Sequence, residues 1–339
     1  MSRTFLFHKC LFPSYSTEEN VTCVHEWPKA NCLVFACWKS HYAAKLCFLN
    51  EKTFKPIKLL STVHLKSIIQ ILVVKYKRVS YVITAGRDSQ IQITLANRAW
   101  KTHGILLLEG PLKKIVYSRK KNLLFAAGKF KGVVGFFLNQ TLEFLKPTHR
   151  PVDPSNKNQP GPAAQAFCLA DKLIEDLAMV DSRNLLVACA WEHQEIYIID
   201  VNQSEYPIAV FPLMKKELAF YSLRYIPKLD MVLAANTTDL KLLRVDFAKP
   251  PVVTRGMKVI KEDEDLEIQD YCYLDNINWV IASRGDEFVR LLQITTTKIK
   301  KQKMKIFDED GGMLFQSSHS RVIYGINKSN SKTFLFSIV

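Results

Sequence analysis

The stretch IEDLAMVDSRNLLVACAWEHQEIYIIDV, residues 174–201, decides the fold. IEDLAMV and LLVACA are short apolar runs separated by the polar turn DSRN, and a second turn, WEHQE, leads into IYIIDV. Apolar runs of this length bounded by turn residues read as strands rather than helices. LLVACA ends in small residues, and the same ending recurs in CLVFACW (32–38), YVITAG (81–86), LLFAAG (123–128), MVLAAN (231–236), WVIASR (279–284) and RVIYGI (321–326). Aligned on the second small residue, the copies fall at Cys37, Ala85, Ala127, Cys189, Ala235, Ser283 and Gly325. The intervals are 48, 42, 62, 46, 48 and 42 residues. A period in this range marks a repeat architecture.

Each copy sits in the same local pattern. A shorter strand and turn precede it, as LKKIVYSRKKN precedes LLFAA and FYSLRYIPKLD precedes MVLAA. A polar turn and another strand follow it, as in GRDSQ then IQITLA, NTTD then LKLLRV, and RGDEF then VRLLQI. With a fourth strand or loop leading onward, the unit is a four-stranded antiparallel blade. One blade cannot bury both faces, so the units must stack and close. Small residues at one place in every unit fit the crowding near a central channel. The expected fold is therefore all-β, a single closed β-propeller over residues 1–339 with seven four-stranded blades.

Both ends of the chain fit closure. GMLFQSSHS, RVIYGINKS and KTFLFSIV supply three strands of the last unit, and SRTFLFHKCLF at the start supplies its outer strand. A ring closed by strands from both ends leaves no open edge. The alternative for the first residues, a targeting element, lacks a long apolar core and a cleavage site. The 62-residue interval is explained by KPTHRPVDPSNKNQPGPAAQ at 146–165, with five prolines, read as a loop inserted between the third and fourth blades. EDEDLE at 262–267 and KIKKQKMK at 298–305 read as exposed charged segments.

This pattern resembles the WD40 repeat family over essentially the whole chain. The family's Gly-His and Trp-Asp pairs are not regular here. The nearest traces are GRDSQIQI at 86–93, RGDEFVRLL at 284–292 and IIDV at 198–201. By the resemblance, Asp88 and Asp286 hold the turn position where an acidic residue braces a blade, and His64 precedes the second unit as the family histidine does. The missing signatures leave the blade count resting on spacing, with six or eight blades as alternatives and a pair of β-sandwiches as the structural rival. The resemblance implies a non-catalytic scaffold or adaptor in a multiprotein complex, with one face and the channel entrance as the contact surface. Fold by itself is a weak warrant for function.

Apolar residues make up 48% of the 339 and charged residues 23%, ordinary for a globular protein. The apolar runs are strand-length, far short of the roughly 20 residues of a spanning helix, so no membrane span is expected. Eight cysteines, none in a CxxC, sit largely within apolar runs and point to a reduced, intracellular protein, cytoplasmic or nuclear. Phenylalanine reaches 20 residues, more than a propeller core requires, and Phe48, Phe54, Phe136 and Phe137 are candidates for burial against partners.

The formal net charge of +15 is unevenly spread. Residues 1–150 carry 24 Lys and Arg against 7 Asp and Glu, a net of +17; the remainder carries 23 against 25, a net of −2. In a ring this places a positive field on one side. The candidate partner-binding residues are Lys75, Lys77, Arg78 and Arg87 in the second unit. In the third they are Lys113, Lys114, Arg119, Lys120, Lys121, Lys129 and Lys131, with Tyr76, Tyr117 and Phe130 interleaved. Such a surface fits acidic protein surfaces, or RNA or DNA in a ribonucleoprotein or chromatin assembly, by release of counterions. Solvated hairpin turns account for the same residues, RKKN at 119–122 above all.

Other chemistry finds little support. There is no GxxxxGK[ST], GxSxG or HExxH, and GKFKG at 128–132 lies between strands, without a helix to complete a phosphate cradle. Cys23, His25, Cys32, Cys37 and His41 lie close in sequence, but a single strand from Cys32 to Cys37 holds its ends too far apart for a tetrahedral metal site, and core packing explains them. A propeller enzyme would gather Arg87, Asp88, Glu192, His193, Arg284 and Asp286 near one face, which turns and salt bridges explain more simply. No cofactor and no catalytic residue is expected.

Overall fold

The computed structural model describes residues 5–9; 20–144 except 52, 54 and 98; 164–167; 172–212 except 191, 193–194 and 203–206; 220–236; and the strands 240–246, 252–254, 258–260, 270–274, 279–283, 288–294, 299–305, 313–316, 322–326 and 333–338. Each repeat folds as a meander whose strands pair in chain order. The first sheet is Asn20–Trp27, Cys32–Trp38, Lys45–Asn50 and Pro56–Ser61. The second is Ile68–Tyr76, Val79–Gly86, Gln90–Leu95 and Thr102–Leu107. The third is Leu112–Ser118, Leu123–Gly128, Phe130–Phe137 and Ala164–Phe167. The fourth is Ile174–Val180, Leu185–Ala190, Glu195–Asp200 and Ala209–Pro212.

The fifth sheet begins with Ser222–Ile226, Met231–Ala235 and Leu240–Asp246. The sixth is Asp270–Leu274, Trp279–Ser283, Phe288–Ile294 and Ile299–Lys305. The last is Met313–Gln316, Val322–Ile326 and Thr333–Ile338, beside which Phe5–Lys9 pairs antiparallel, from Phe5 opposite Ile338 to Lys9 opposite Phe334.

Two expectations are corrected. The fold is not seven uniform four-stranded blades. Among the described residues one of the seven sheets, the fifth, has five strands, because Val252–Thr254 and Lys258–Ile260 both pair with Leu240–Asp246. Thr254 lies opposite Arg244 and Ile260 opposite Leu240, so the outer edge is shared by two short strands end to end. The Pro-rich insertion is also placed differently. Ala164–Phe167 pairs with Phe130–Phe137, so the insertion falls inside the third sheet, before its outer strand, rather than between two units. It is entered by the helix Leu138–Phe144, and residues 145–163 lie outside the described residues.

The recurrent small residues all fall on second strands, and their partners explain their size. Ala85 is opposite Gln70, Ala127 opposite Lys114, Cys189 opposite Asp176 and Ala235 opposite Ser222. These partners lie on the innermost strands, which neighbour one another from sheet to sheet and reach round from Met313–Gln316 to Asn20–Trp27. They make the polar links between sheets. Gln70 Oε1 accepts from Ile115 N–H at 2.9 Å, and Asp176 accepts from Lys114 Nζ at 3.1 Å and from Leu223 N–H at 2.7 Å. Ser222 Oγ bonds Tyr271 Oη at 3.2 Å, and Thr22 Oγ1 donates to Ile68 C=O at 2.7 Å. A larger residue opposite these groups would hold adjacent sheets apart. The first strands of the first four sheets each carry an extra residue at this level, at Val21/Cys23, Ile68/Gln70, Leu112/Lys114 and Ile174/Asp176, a bulge that increases local twist.

The core lies between sheets rather than within one. Ile83, Ile91 and Leu106 of the second sheet meet Ile115, Leu124 and Phe136 of the third, and the other described neighbours pack likewise. Central strands are buried on both faces, which is why LLVACA and LLFAAG read as unbroken apolar runs. The phenylalanine surplus is spent here. Phe48 and Phe136 are fully buried, so these two are not reserved for partners; Phe137 is half-buried against the third–fourth core, and Phe54 lies outside the described residues.

Asp176 is the most demanding polar group of this core, since Leu177 N–H, Leu223 N–H and Lys114 all converge on one buried carboxylate. Asp176→Ala leaves two buried N–H donors and a cation unpaired, a loss of about 3 kcal/mol. Urea unfolding monitored by tryptophan fluorescence should show a lower midpoint and an unfolding free energy reduced by that amount, with Asp176→Asn intermediate.

Candidate interaction surfaces

Strand direction gives the ring two distinct ends. Hairpins between first and second strands, and turns between third and fourth, lie at one end, here the hairpin end. Second-to-third turns and the connections between sheets lie at the other, the crossover end. Neighbouring sheets run in register, for Lys113 bonds Glu175 at the start of two successive first strands and Ser118 bonds Asp181 at their finish.

This division splits the eleven basic candidates. Arg87, Lys113, Lys114, Lys129 and Lys131 belong to the crossover end. Lys113 and Lys114 are paired there with Glu175 and Asp176 at 2.8 and 3.1 Å, which makes them cross-links between sheets. Lys75, Lys77, Arg78, Arg119, Lys120 and Lys121 belong to the hairpin end, all exposed except the half-buried Lys121. Lys77 and Arg78 form a two-residue turn with φ of 45° and 68°. Asn and Gly are the usual occupants of such a turn, since a side chain at positive φ is strained. Lys77 also reaches Glu143 at 3.3 Å and the Tyr76 ring at 5.2 Å from its centroid. Arg119–Asn122 is a longer turn fixed from the next sheet, as Asp181 accepts from Ser118 Oγ at 2.6 Å and Arg119 N–H at 3.2 Å.

A recurrent device missed by sequence reading shapes this end. Asn31, Asn122, Asn184 and Asp230 each immediately precede a second strand and adopt φ between 45° and 56°. Asn and Asp tolerate this conformation best among side-chain-bearing residues. Their recurrence before the small-residue strands was the available signal.

At the crossover end the turn Trp38–Ala44 is tied to the connection Thr62–Leu65. Ala44 N–H donates to His64 C=O at 2.7 Å and Thr62 N–H to Ala44 C=O at 3.0 Å. His64 is fully buried, with Nδ1 at 2.9 Å from Asp88 Oδ1 and Nε2 at 2.9 Å from Thr84 Oγ1. The other Asp88 oxygen accepts from Leu65 N–H at 2.8 Å, while Leu65 C=O accepts from Trp38 Nε1 at 3.3 Å. A Cβ on Gly86 would lie 2.2 Å from Asp88 Oδ1 and 2.4 Å from His64 Nδ1, so only glycine fits beside the brace. The backbone of Leu65 is thus held on both sides while its side chain stays 67% exposed, with Tyr42 at 61% and Val63 at 36% on the same two segments.

The carboxylate–imidazole–hydroxyl sequence of Asp88, His64 and Thr84 has the order of a nucleophilic triad, but Thr84 and His64 are sealed from solvent and serve as a brace. Cys32 and Cys37 face different core clusters and His41 is exposed, so the early cysteines and histidines are not brought together. Burial pushes up the thiols of Cys23, Cys32 and Cys189, that of Cys32 to about 12, which keeps them protonated and unreactive. Among the described residues no group of three or more His, Cys, Asp or Glu could hold a metal ion, and no helix is long and apolar enough to cross a membrane. His193, Arg284 and Asp286 lie outside the described residues.

No family model matches the chain, and no curated protein matches it in sequence. Solved structures match its fold. The β-propeller domain of Cps50 (Swd1) from Myceliophteria thermophila superposes with a TM-score of 0.75 at 12% identity, covering 99% of this chain and all of that one. A chain of a mitotic checkpoint complex superposes with a TM-score of 0.65 at 10% identity, covering 99% and 91%. The chain is thus a β-propeller related in fold to WD40-like structures.

Acid should remove stability in two windows. Burial holds the His25 imidazole down to about 4, so the unfolded chain, with imidazole near about 6.5, binds its proton first and stability falls as pH drops from about 6.5 toward about 4. Burial alone would raise Asp88, but the His64 ring and Leu65 N–H outweigh it and hold the carboxyl below its ordinary value. Its contribution is present above about pH 4 and lost below. Calorimetric Tm against pH should fall through both windows. His25→Gln should flatten the upper, and Asp88→Asn should flatten the lower while reducing Tm at neutral pH.

Proposed function

We propose that this chain is a non-catalytic scaffold or adaptor that holds proteins together in a multiprotein complex, with its principal docking site at the crossover end around Leu65. The observation that carries the reading is the pinned, exposed leucine. Specific protein interfaces need a desolvated apolar centre inside a polar rim. Leu65, Tyr42 and Val63 supply the centre, and Lys39, Lys66 and Arg87 stand around it. A partner that buries Leu65 meets a backbone already ordered by Asp88 and Trp38, and so avoids much of the ordering cost of binding.

The sealing of His64 and Thr84 and the protonated thiols favour binding over catalysis. The six described cysteines are all buried, which suits a reducing compartment such as the cytoplasm or nucleus. One structure of similar fold is a mitotic checkpoint complex, but at 10% identity that likeness carries fold alone.

The test is affinity purification of the tagged full chain from its source cells, with nuclease and moderate salt, read by mass spectrometry. Discrete protein partners should be retained by the native chain. Leu65→Asp should reduce their recovery at least tenfold, about 1.4 kcal/mol, with Tm unchanged because the side chain is exposed. Equal recovery by Leu65→Asp, or loss of every partner on nuclease treatment, would contradict the reading.

A further inference from the structure

We infer that the hairpin end of the first three sheets is a second binding surface, and that its ligand is single-stranded RNA held through its phosphates. The surface lies at the opposite end of the ring from Leu65 and does not depend on the docking role proposed there. Three successive first-to-second hairpins carry it. Pro28–Ala30 presents Lys29, the second hairpin presents Lys75, Lys77 and Arg78, and the third presents Arg119, Lys120 and Lys121. Lys101, in the third-to-fourth turn of the second sheet, continues the arc. Among the described residues Glu26 of the first hairpin is buried, Asp181 of the fourth sheet accepts from Ser118 Oγ and Arg119 N–H, Glu51 lies beside Asn31 in the third-to-fourth turn of the first sheet, and Glu143 from the neighbouring helix reaches Lys77 in a pair exposed on both sides. Such a pair is screened by solvent and yields readily to a stronger anion.

Two features favour a phosphate backbone over an acidic protein. Protein interfaces are rich in Arg and poor in Lys and are built round an apolar centre. Here lysines predominate, and the one exposed large apolar residue of these three hairpins is Val79, beside Arg78; Ile57 and Ile208, also exposed at this end, lie at or before the outer strands of the first and fourth sheets. The second feature is the placement of Lys77 and Arg78 at positive φ, where Asn and Gly would relieve the strain. Strained positions concentrate at functional sites, and this one sets two cations side by side at a turn tip. Among the described residues these three hairpins themselves present no helix or ribbon long enough to enter a duplex groove, which suits an unpaired strand, the form in which RNA is most often recognised. Tyr76 and the half-buried Trp27 and Trp100, whose rings meet edge to face at 6.1 Å, edge the rim with aromatic surface.

The experiment is fluorescence anisotropy of the full chain with a labelled single-stranded RNA of mixed sequence, across a salt series, with poly-L-glutamate as a second probe. Saturable RNA binding should weaken linearly in log affinity against log salt. The double reversals Lys77→Glu with Arg78→Glu, and Arg119→Glu with Lys120→Glu, should each weaken binding at least tenfold and lower the salt slope by about 1.4, two phosphates at about 0.7 each. Circular dichroism should show both variants folded. Lys129→Glu with Lys131→Glu, at the crossover end, should leave binding unchanged, and so should Leu65→Asp. Absence of RNA binding, insensitivity to the hairpin-end reversals, equal loss from the crossover reversal, or poly-L-glutamate binding as tightly as RNA would each overturn the inference; the last would make the surface one for acidic protein.

Discussion

Close contact between successive innermost strands is the constraint on which the rest of the molecule depends. No single sheet of this chain can bury its own faces, so each borrows a face from the next. The strands nearest the channel must then approach closely and still satisfy their polar groups. Ala85, Ala127, Cys189 and Ala235 provide the room, and Gln70, Lys114, Asp176 and Ser222 opposite them provide the links. Asp176 shows the balance most clearly. A carboxylate buried there without partners would be costly, and three donors from three sheets remove that cost.

The same constraint separates the two ends by chemistry. Cross-links between first strands consume charge at the crossover end, where Lys113 and Lys114 meet Glu175 and Asp176. Beside the exposed Lys66, Arg87, Lys129 and Lys131 an apolar patch remains there, held by the buried His64–Asp88 brace, and among the described residues Leu65 is its most exposed large apolar side chain. Hairpins at the other end link through Asp181 and the Arg183–Asp230 pair at 2.5 Å from the third sheet onward. The second hairpin meets the third sheet's helix through the exposed Lys77–Glu143 pair, and the other cations of the first two hairpins stand at or beside the turn tips. An apolar patch at one end of the propeller and a basic arc at the other are two surfaces of different chemistry.

Much of this was legible in the sequence because the physics is local. A small residue ending an apolar run, a polar turn after it and a period near 48 residues are all set by one sheet packing on the next, and every marker landed on a second strand. Asp88 was legible as a bracing residue, and His64 as the histidine before the second unit, through family resemblance, and the two meet at 2.9 Å. The extra strand of the fifth sheet was not legible, because Val252–Thr254 and Lys258–Ile260 together resemble one outer strand in composition. The position of the insertion was missed because AQAF, at its end, has too little pattern to announce a strand; only its pairing with Phe130–Phe137 identifies it. The basic residues were read as one surface, since charge density along a chain does not say which end of a strand a residue occupies. Leu65 drew no attention at all. An isolated leucine between a histidine and a lysine acquires meaning only when both its backbone groups are seen to be held.

The central claim is that proteins dock at the end of the ring that carries Leu65. Cross-linking mass spectrometry on the purified native assembly tests it most directly, because lysines mark both ends. The account predicts that cross-links to partner proteins concentrate on Lys39, Lys45 and Lys66, which flank Tyr42 and Leu65 in the crossover segments. Cross-links concentrated instead on Lys29, Lys77 and Lys120 would place the partners on the hairpin end and contradict it.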